Sequence, residues 1–285
     1  MVQSFGARVR ETIASRGRLC VGIDPHAGLL GEWGLDDSAE GVREFGLRVV
    51  EAAAGRTGVV KPQVSFFERH GSAGLAALEQ VIAAARAAGL IVIADAKRGD
   101  IGSTMDAYAE AWLRSGAALE ADALTASPYL GVGALTGTFD LAYREGKGVF
   151  ALAATSNPEA RALQSAAVDG GTVAARVVAE VAARNAASVS GDEWGSLGLV
   201  VGATVDWAEV GLEPFAPPAP ILAPGFGHQG AVPSDLAARF GAMAPCVLAA
   251  ESRSILSAGP AGVADAVRGA AAAYRTALPD RGADT

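Results

Sequence analysis

Cysteine is nearly missing from this chain: Cys20 and Cys246 are the two among 285 residues. Both stand in apolar runs, Leu19-Cys20-Val21 and Pro245-Cys246-Val247-Leu248. They read as buried core thiols, not as a disulfide framework, which suits a reducing compartment. Histidine is scarce too, and His26, His70 and His228 show no metal-ligand spacing. Positive charge is outnumbered, 23 Lys+Arg against 31 Asp+Glu, for a net −8. That balance argues against non-specific nucleic-acid binding. It leaves room for an anionic small molecule, because a local cluster of donors can override the overall field. No run approaches the roughly 18 uncharged apolar residues of a membrane span. An unbroken apolar leader is absent as well. Phe5, Val9 and Ile13 recur every four residues with Arg8, Arg10 and Glu11 between them, which predicts an amphipathic helix in place of a signal peptide. A soluble, cytoplasmic protein is expected.

What is there is a βα rhythm. The chain is 51% hydrophobic and 19% charged with no long polar tract, so it can bury a large core. Nearly continuous apolar runs predict strands at 19–24, 59–62, 90–95, 121–126, 148–154, 197–202, 221–224 and 246–250. Runs of this kind suit parallel strands buried on both faces. Helical stretches are expected at 41–54, 72–88, 103–115, 171–189 and 261–277, with Ser38 capping the first of them. The longest connection, 155–196, contains its own helix, and 214–220 reads as a Pro-rich surface turn. The tail 279–285 is polar and expected to fray. Eight strands, each followed by a helix, predict a (β/α)8 TIM barrel with an extra N-terminal helix. About 250 residues suffice for such a barrel, so the whole chain 1–285 reads as one domain.

Active sites of these barrels lie at the C-terminal ends of the strands. Ionisable groups directly after buried apolar runs therefore attract attention: Asp24, Lys61, then Asp95, Lys97 and Asp100, and finally Glu251 and Arg253. Isolated charges there are costly, so they should form a compensated network. Asp95 and Lys97, two apart, face the same way on an extended backbone. With Asp100 past Gly99 and Lys61 from the neighbouring strand, charges alternate and can all stay ionised. A protonated lysine in that setting is a candidate general acid. Taken alone, Asp-x-Lys-x-x-Asp fits equally well an ion-pair network that merely closes the barrel top.

A second cluster suits phosphate. Pro224-Gly225-Phe226-Gly227-His228-Gln229-Gly230 follows strand seven, and its glycines let backbone N–H groups approach an anion while Gln229 adds an amide donor. Arg253 follows strand eight and can grip phosphate bidentately. Gly225, Gly227 and Gly230 also spell a dinucleotide-binding fingerprint, with Glu251 about 20 residues on. An NAD-dependent dehydrogenase would however place more strands after that motif, and here one follows while six βα units precede.

The block Asp95-Ala-Lys97-Arg-Gly-Asp100-Ile-Gly-Ser-Thr104 resembles the signature of orotidine 5′-phosphate decarboxylases. Gly22-Ile23-Asp24-Pro25, Val60-Lys61-Pro62-Gln63, Ser127-Pro128-Tyr129-Leu130-Gly131, Thr155-Ser156-Asn157-Pro158, the 224–230 loop and Ser252-Arg253 extend the resemblance over nearly the whole chain. The pattern looks like the longer, actinobacterial-type branch. The resemblance implies decarboxylation of orotidine 5′-monophosphate to uridine 5′-monophosphate, the last step of de novo pyrimidine nucleotide synthesis. It implies that Lys97 protonates carbon six of the pyrimidine, with Asp95 beside the substrate carboxylate. Asp24 and Lys61 would meet ribose hydroxyls and Ser127 the pyrimidine edge. Pro224, Gly225, Gln229 and Arg253 would hold the phosphate under a mobile lid. Asp100 and Thr104 would reach into a partner's site, so a homodimer with shared sites is implied. No metal or organic cofactor is implied. His228 stands where the family often has a smaller residue.

Two other readings remain. Related barrels share Asp-x-Lys-x-x-Asp but use Mg²⁺ on keto-sugar phosphates, with an acidic residue at the end of strand two. Lys61 in that position would repel a divalent cation. A catalytically silent phosphate-binding barrel is the non-enzyme reading, since fold alone never establishes activity.

Overall fold

The structure is a computed structural model, and it describes residues 3–278. The chain runs α1 (Phe5–Arg16), β1 (Leu19–Ile23), α2 (Ala27–Glu32), α3 (Ala39–Ala53), β2 (Val59–Pro62), α4 (Ser65–Glu68), α5 (Gly71–Ala87), β3 (Ile91–Arg98), α6 (Gly102–Leu113), β4 (Ala123–Ala126), α7 (Thr136–Glu145) and β5 (Gly148–Ala154). It continues through α8 (Arg161–Gln164), a small hairpin of β6 (Ala167–Val168) and β7 (Gly171–Thr172), α9 (Val173–Ala186), β8 (Leu197–Val201), β9 (Ile221–Pro224), α10 (Leu236–Phe240), β10 (Val247–Glu251), α11 (Arg253–Leu256) and α12 (Gly259–Ala277). Eight parallel strands close in the order β1-β2-β3-β4-β5-β8-β9-β10, with β10 pairing back onto β1. This is a (β/α)8 TIM barrel, and α1 precedes its first strand as expected.

The strands form where they do because they can be buried on both faces. Every residue of β1, β2, β4, β8 and β10 is buried. Helix starts follow side-chain chemistry: Ser4, Ser38 and Thr172 each accept from the backbone N–H three residues on, at 3.3, 3.1 and 3.0 Å. Ser38 is thus the cap read from the sequence. Both cysteines are buried and free. Burial pushes their thiols up, Cys20 to about 12 and Cys246 to about 11, so they are inert core groups.

Helix α1 closes the N-terminal end of the barrel. Phe5 is fully buried and packs edge-on against Phe150 at 5.9 Å between ring centres. A Cβ at Gly148 would lie 2.3 Å from the Phe5 ring, so glycine there makes room for the plug. Around it, Lys147 meets Glu120 at 2.6 Å, Arg86 meets Glu120 at 2.6 Å, and Arg8 pairs with Asp122. Burial would raise the Glu120 carboxyl, but Lys147, the Gly116 N–H and Arg86 prevail and bring it down to about 2.

Several expectations need correction. The rule of a helix after every strand fails at β8: residues 202–220 form turns, and β9 is followed by 3-10 turns and the five-residue α10. Pro214, Pro217, Pro218 and Pro220 lack the N–H groups that a helix between β8 and β9 would need. Of the segment 214–220, Ala219 and Pro220 are buried, so the surface turn ends earlier than expected. The third strand runs past Asp95 to Arg98, with a register irregularity against β4 between Ala94 and Arg98. Helix α7 and the β6–β7 hairpin carry no strong sequence signal and are additions. The expected frayed tail, 279–285, lies outside the described residues.

Candidate active site

The C-terminal rim of the barrel gathers the charges. Asp95, at the end of the regular part of β3, is the hub. Its Oδ2 accepts from Lys61 Nζ at 2.9 Å, and its Oδ1 accepts from Lys97 Nζ at 2.6 Å and from the Thr125 hydroxyl at 2.9 Å. Lys61 and Asp95 are both 7% exposed, whereas the Lys97 side chain is half open to the mouth at 48%. Burial works against charge on both inner groups, but their mutual attraction wins. Asp95, flanked by Lys61 and Lys97, is held well below the usual carboxylate range. Lys61, facing Asp95 and Asp24, is held above the usual lysine range. The hub is therefore ionised at neutral pH, with its ammonium partner Lys61 protonated.

Asp95 and Lys97 do face one another, but not because the backbone is extended. Lys97 has φ +48°, the left-handed region, and it sits in the irregular stretch of β3. Such a conformation costs a non-glycine residue about 1–3 kcal/mol. The bonds that offset it are visible: Lys97 N donates to Thr125 Oγ1 at 3.0 Å while Nζ reaches Asp95. Thr125 thus ties the backbone end of the lysine to the hub, and Asp95 itself holds the ammonium end. The sequence signal for Thr125 is a hydroxyl inside a fully buried strand.

Asp100 does not join this network within the chain. Its Oδ1 accepts from Ile101 N at 2.8 Å, and among the described residues no ion pair joins it to Lys61 or Lys97. The expected fourth charge of the alternating row is therefore not supplied in cis. Thr104 is exposed on the first turn of α6. Ser127, just past β4, donates its backbone N–H to Arg98 O at 2.7 Å.

Next to the hub lies a cavity of about 200 Å³, lined by Asp24, Lys61, Gly225, His228, Gln229 and Arg253 among others. Asp24 Oδ1 is buried there without a hydrogen-bond partner, an acceptor awaiting a donor. Gly225 has φ +113°, a conformation that spares the site a side chain and turns the chain out of β9. Pro224 O accepts from Ala203 N at 2.7 Å, fixing the start of that turn. Gln229 Oε1 accepts from Ser156 Oγ at 3.2 Å, which leaves its amide N–H groups free to donate. Ser156, in the loop after β5, is a second site residue to which the sequence reading gave no role. Arg253 Nη1 lies 2.7 Å from His228 Nε2. The glycines of the 225–230 loop thus serve a closed barrel, not the open sheet of a dinucleotide fold. Among the described residues no group of three or more His, Cys, Asp or Glu is arranged to hold a metal.

With this geometry in view, comparison with known proteins is informative. Residues 17–267 match the model of the orotidine 5′-phosphate decarboxylase / HUMPS family. An orotidine 5′-phosphate decarboxylase of Salinispora arenicola is 54% identical over 260 residues, covering 91% of this chain and 92% of the relative. One of Streptomyces coelicolor is 51% identical over 260 residues, with 91% and 92% covered. The crystal structure of a Streptomyces avermitilis protein, provisionally given the same name, superposes with a TM-score of 0.90 at 48% identity, covering 96% of each chain. The OMP decarboxylase of Leishmania donovani gives 0.74 at 33% identity, with 95% and 98% covered.

Proposed function

The chain belongs to the orotidine 5′-phosphate decarboxylase / HUMPS family, and from that premise we propose how its residues divide the work. The reaction is decarboxylation of orotidine 5′-monophosphate to uridine 5′-monophosphate in pyrimidine synthesis, so the protein is a carboxy-lyase. The observation that carries the assignment of roles is the Lys61–Asp95–Lys97 chain beside a cavity of about 200 Å³ lined by Arg253 and Gln229. When the bond from carbon six to the carboxylate breaks, its electron pair stays on carbon six and carbon dioxide leaves. The Lys97 ammonium stabilises that pair and then delivers its proton to carbon six. Asp95, kept ionised far below the usual range, cannot serve as the acid. Its task is to hold the Lys97 ammonium in place and to stand beside the departing carboxylate.

Asp24 offers its unpartnered oxygen to ribose hydroxyls, with Lys61 next to it. Ser127 meets the pyrimidine edge. Pro224, Gly225, Gln229 and Arg253 hold the phosphate, and that binding, remote from the reacting carbon, is available to the chemical step. No cofactor takes part in this scheme. A keto-sugar-phosphate reaction would bring a divalent cation to the place where the Lys61 ammonium sits 2.9 Å from Asp95. The whole chain acts as one barrel domain, in the cytoplasm; no described helix is long and apolar enough to cross a membrane.

The working unit is a homodimer in which Asp100 and Thr104 complete the partner's site. Two features support this. Asp100 is unattached to its own hub. Ile101, Tyr108, Tyr129 and Leu130, beside Thr104 and across the rim, are large apolar groups exposed by 62%, 38%, 75% and 54%.

The test is the ultraviolet absorbance change on mixing the protein with orotidine 5′-monophosphate in excess EDTA. Conversion to uridine 5′-monophosphate is expected, and Lys97→Ala should lower it at least about 10³-fold. No conversion in EDTA, together with Mg²⁺-dependent turnover of a keto-sugar phosphate, would reverse the reading.

A further inference from the structure

His228 is the residue of the glycine loop that the assignment above leaves idle. Its surroundings are built, not incidental. Glu251, 7% exposed at the end of β10, accepts from Tyr274 OH at 2.5 Å and from Ser254 Oγ at 2.6 Å. Gly227 packs onto this platform so tightly that a Cβ there would lie 2.4 Å from Ser254 Oγ and 2.7 Å from Glu251 Oε2, and its φ is +70°. The loop and the start of α11 are thereby locked together, which sets His228 beside Arg253 with Nε2 and Nη1 2.7 Å apart.

Chemistry fixes the direction of that contact. A guanidinium has five N–H donors, no acceptor, and is never deprotonated in a protein. Nη1 therefore donates, and Nε2 must offer its lone pair. Among the described residues no carboxylate forms an ion pair with Arg253, whose guanidinium lines the cavity with His228 as its side-chain partner. A carboxylate brace would orient the guanidinium but neutralise it; an imidazole acceptor orients it and leaves the full charge for an anion. One donor is committed to His228 and the others stay available.

We propose that His228 is a positioning residue for the substrate phosphate: its Nε2 lone pair braces Arg253 in the grip geometry before the nucleotide arrives. This rests on the reading that Arg253 holds the phosphate. The consequence is a preorganised cation, which costs the substrate less ordering on binding.

The experiment measures KM and kcat for orotidine 5′-monophosphate, and competitive inhibition by inorganic phosphate, in a small variant series. His228→Ala should raise KM and the phosphate inhibition constant about tenfold, the effect of one lost hydrogen bond to a charged group, with a smaller fall in kcat. His228→Asn, which keeps an acceptor, should recover most of the loss. His228→Lys, which cannot accept, should be as impaired as His228→Ala. In an Arg253→Ala background, His228→Ala should add nothing. If Arg253→Ala leaves KM unchanged, the phosphate assignment itself falls. If Arg253→Ala is impaired but His228→Ala is not, or His228→Lys matches the wild type, or the two losses multiply, the brace is overturned and the phosphate assignment stands.

Discussion

Thr125 shows how much a single neutral side chain can govern. Its hydroxyl donates to Asp95 and accepts from the backbone of Lys97, so it holds the hub carboxylate and the left-handed lysine in one geometry. Thr125→Val keeps the shape and removes both bonds. Lys97 N then loses its acceptor, a cost of about 1–3 kcal/mol, while Asp95 Oδ1 keeps the Lys97 ammonium. We expect kcat to fall about 10- to 100-fold while KM moves little, because the proposed phosphate grip lies elsewhere; steady-state kinetics with chemical denaturation as a stability control checks it. The sequence made Asp95 and Lys97 legible, since charges after a buried run demand partners. It could not make Thr125 legible by the same route, because a buried hydroxyl carries no charge penalty to advertise itself. The geometry of Lys97 was equally hidden: spacing of two suggested an extended strand, and only the register irregularity of β3 shows a left-handed residue.

At the level of elements, strands were easier to read than helices. All eight apolar runs became barrel strands, because burial on both faces leaves a composition signal that turns cannot mimic. The connections were less regular, since a barrel tolerates turns where prolines forbid a helix, as between β8 and β9. The N-terminal helix was legible from its four-residue repeat, but its purpose was not. Phe5 reaches into the barrel because Gly148, distant in sequence, leaves the space. Phe5→Ala should cost about 3–5 kcal/mol in unfolding free energy, with the site's KM unchanged. Urea unfolding followed by tryptophan fluorescence reads the first quantity, and a loss below about 1 kcal/mol would mean that the plug is dispensable.

At the level of the whole molecule, the issue is what one chain leaves unfinished. Asp100 is tethered to its own backbone, and apolar side chains ring the rim beside it. If sites are shared, two inactive proteins can repair one another. Lys97→Ala and Asp100→Ala, each nearly inactive alone, should regain about a quarter of wild-type activity when mixed in equal amounts and allowed to exchange subunits. That figure follows from half the dimers being mixed, each with one intact site. Mixtures that stay inactive, with exchange verified by mass, would show that each chain is self-sufficient.

The stopper at the base has one more consequence. With Phe5 seated against Phe150 and Gly148, the described barrel is a cup, not a pipe. Substrate, carbon dioxide and product nucleotide must all use the same doorway, past the 225–230 loop. Traffic through that doorway is therefore shared: the next substrate enters only once the product nucleotide has left.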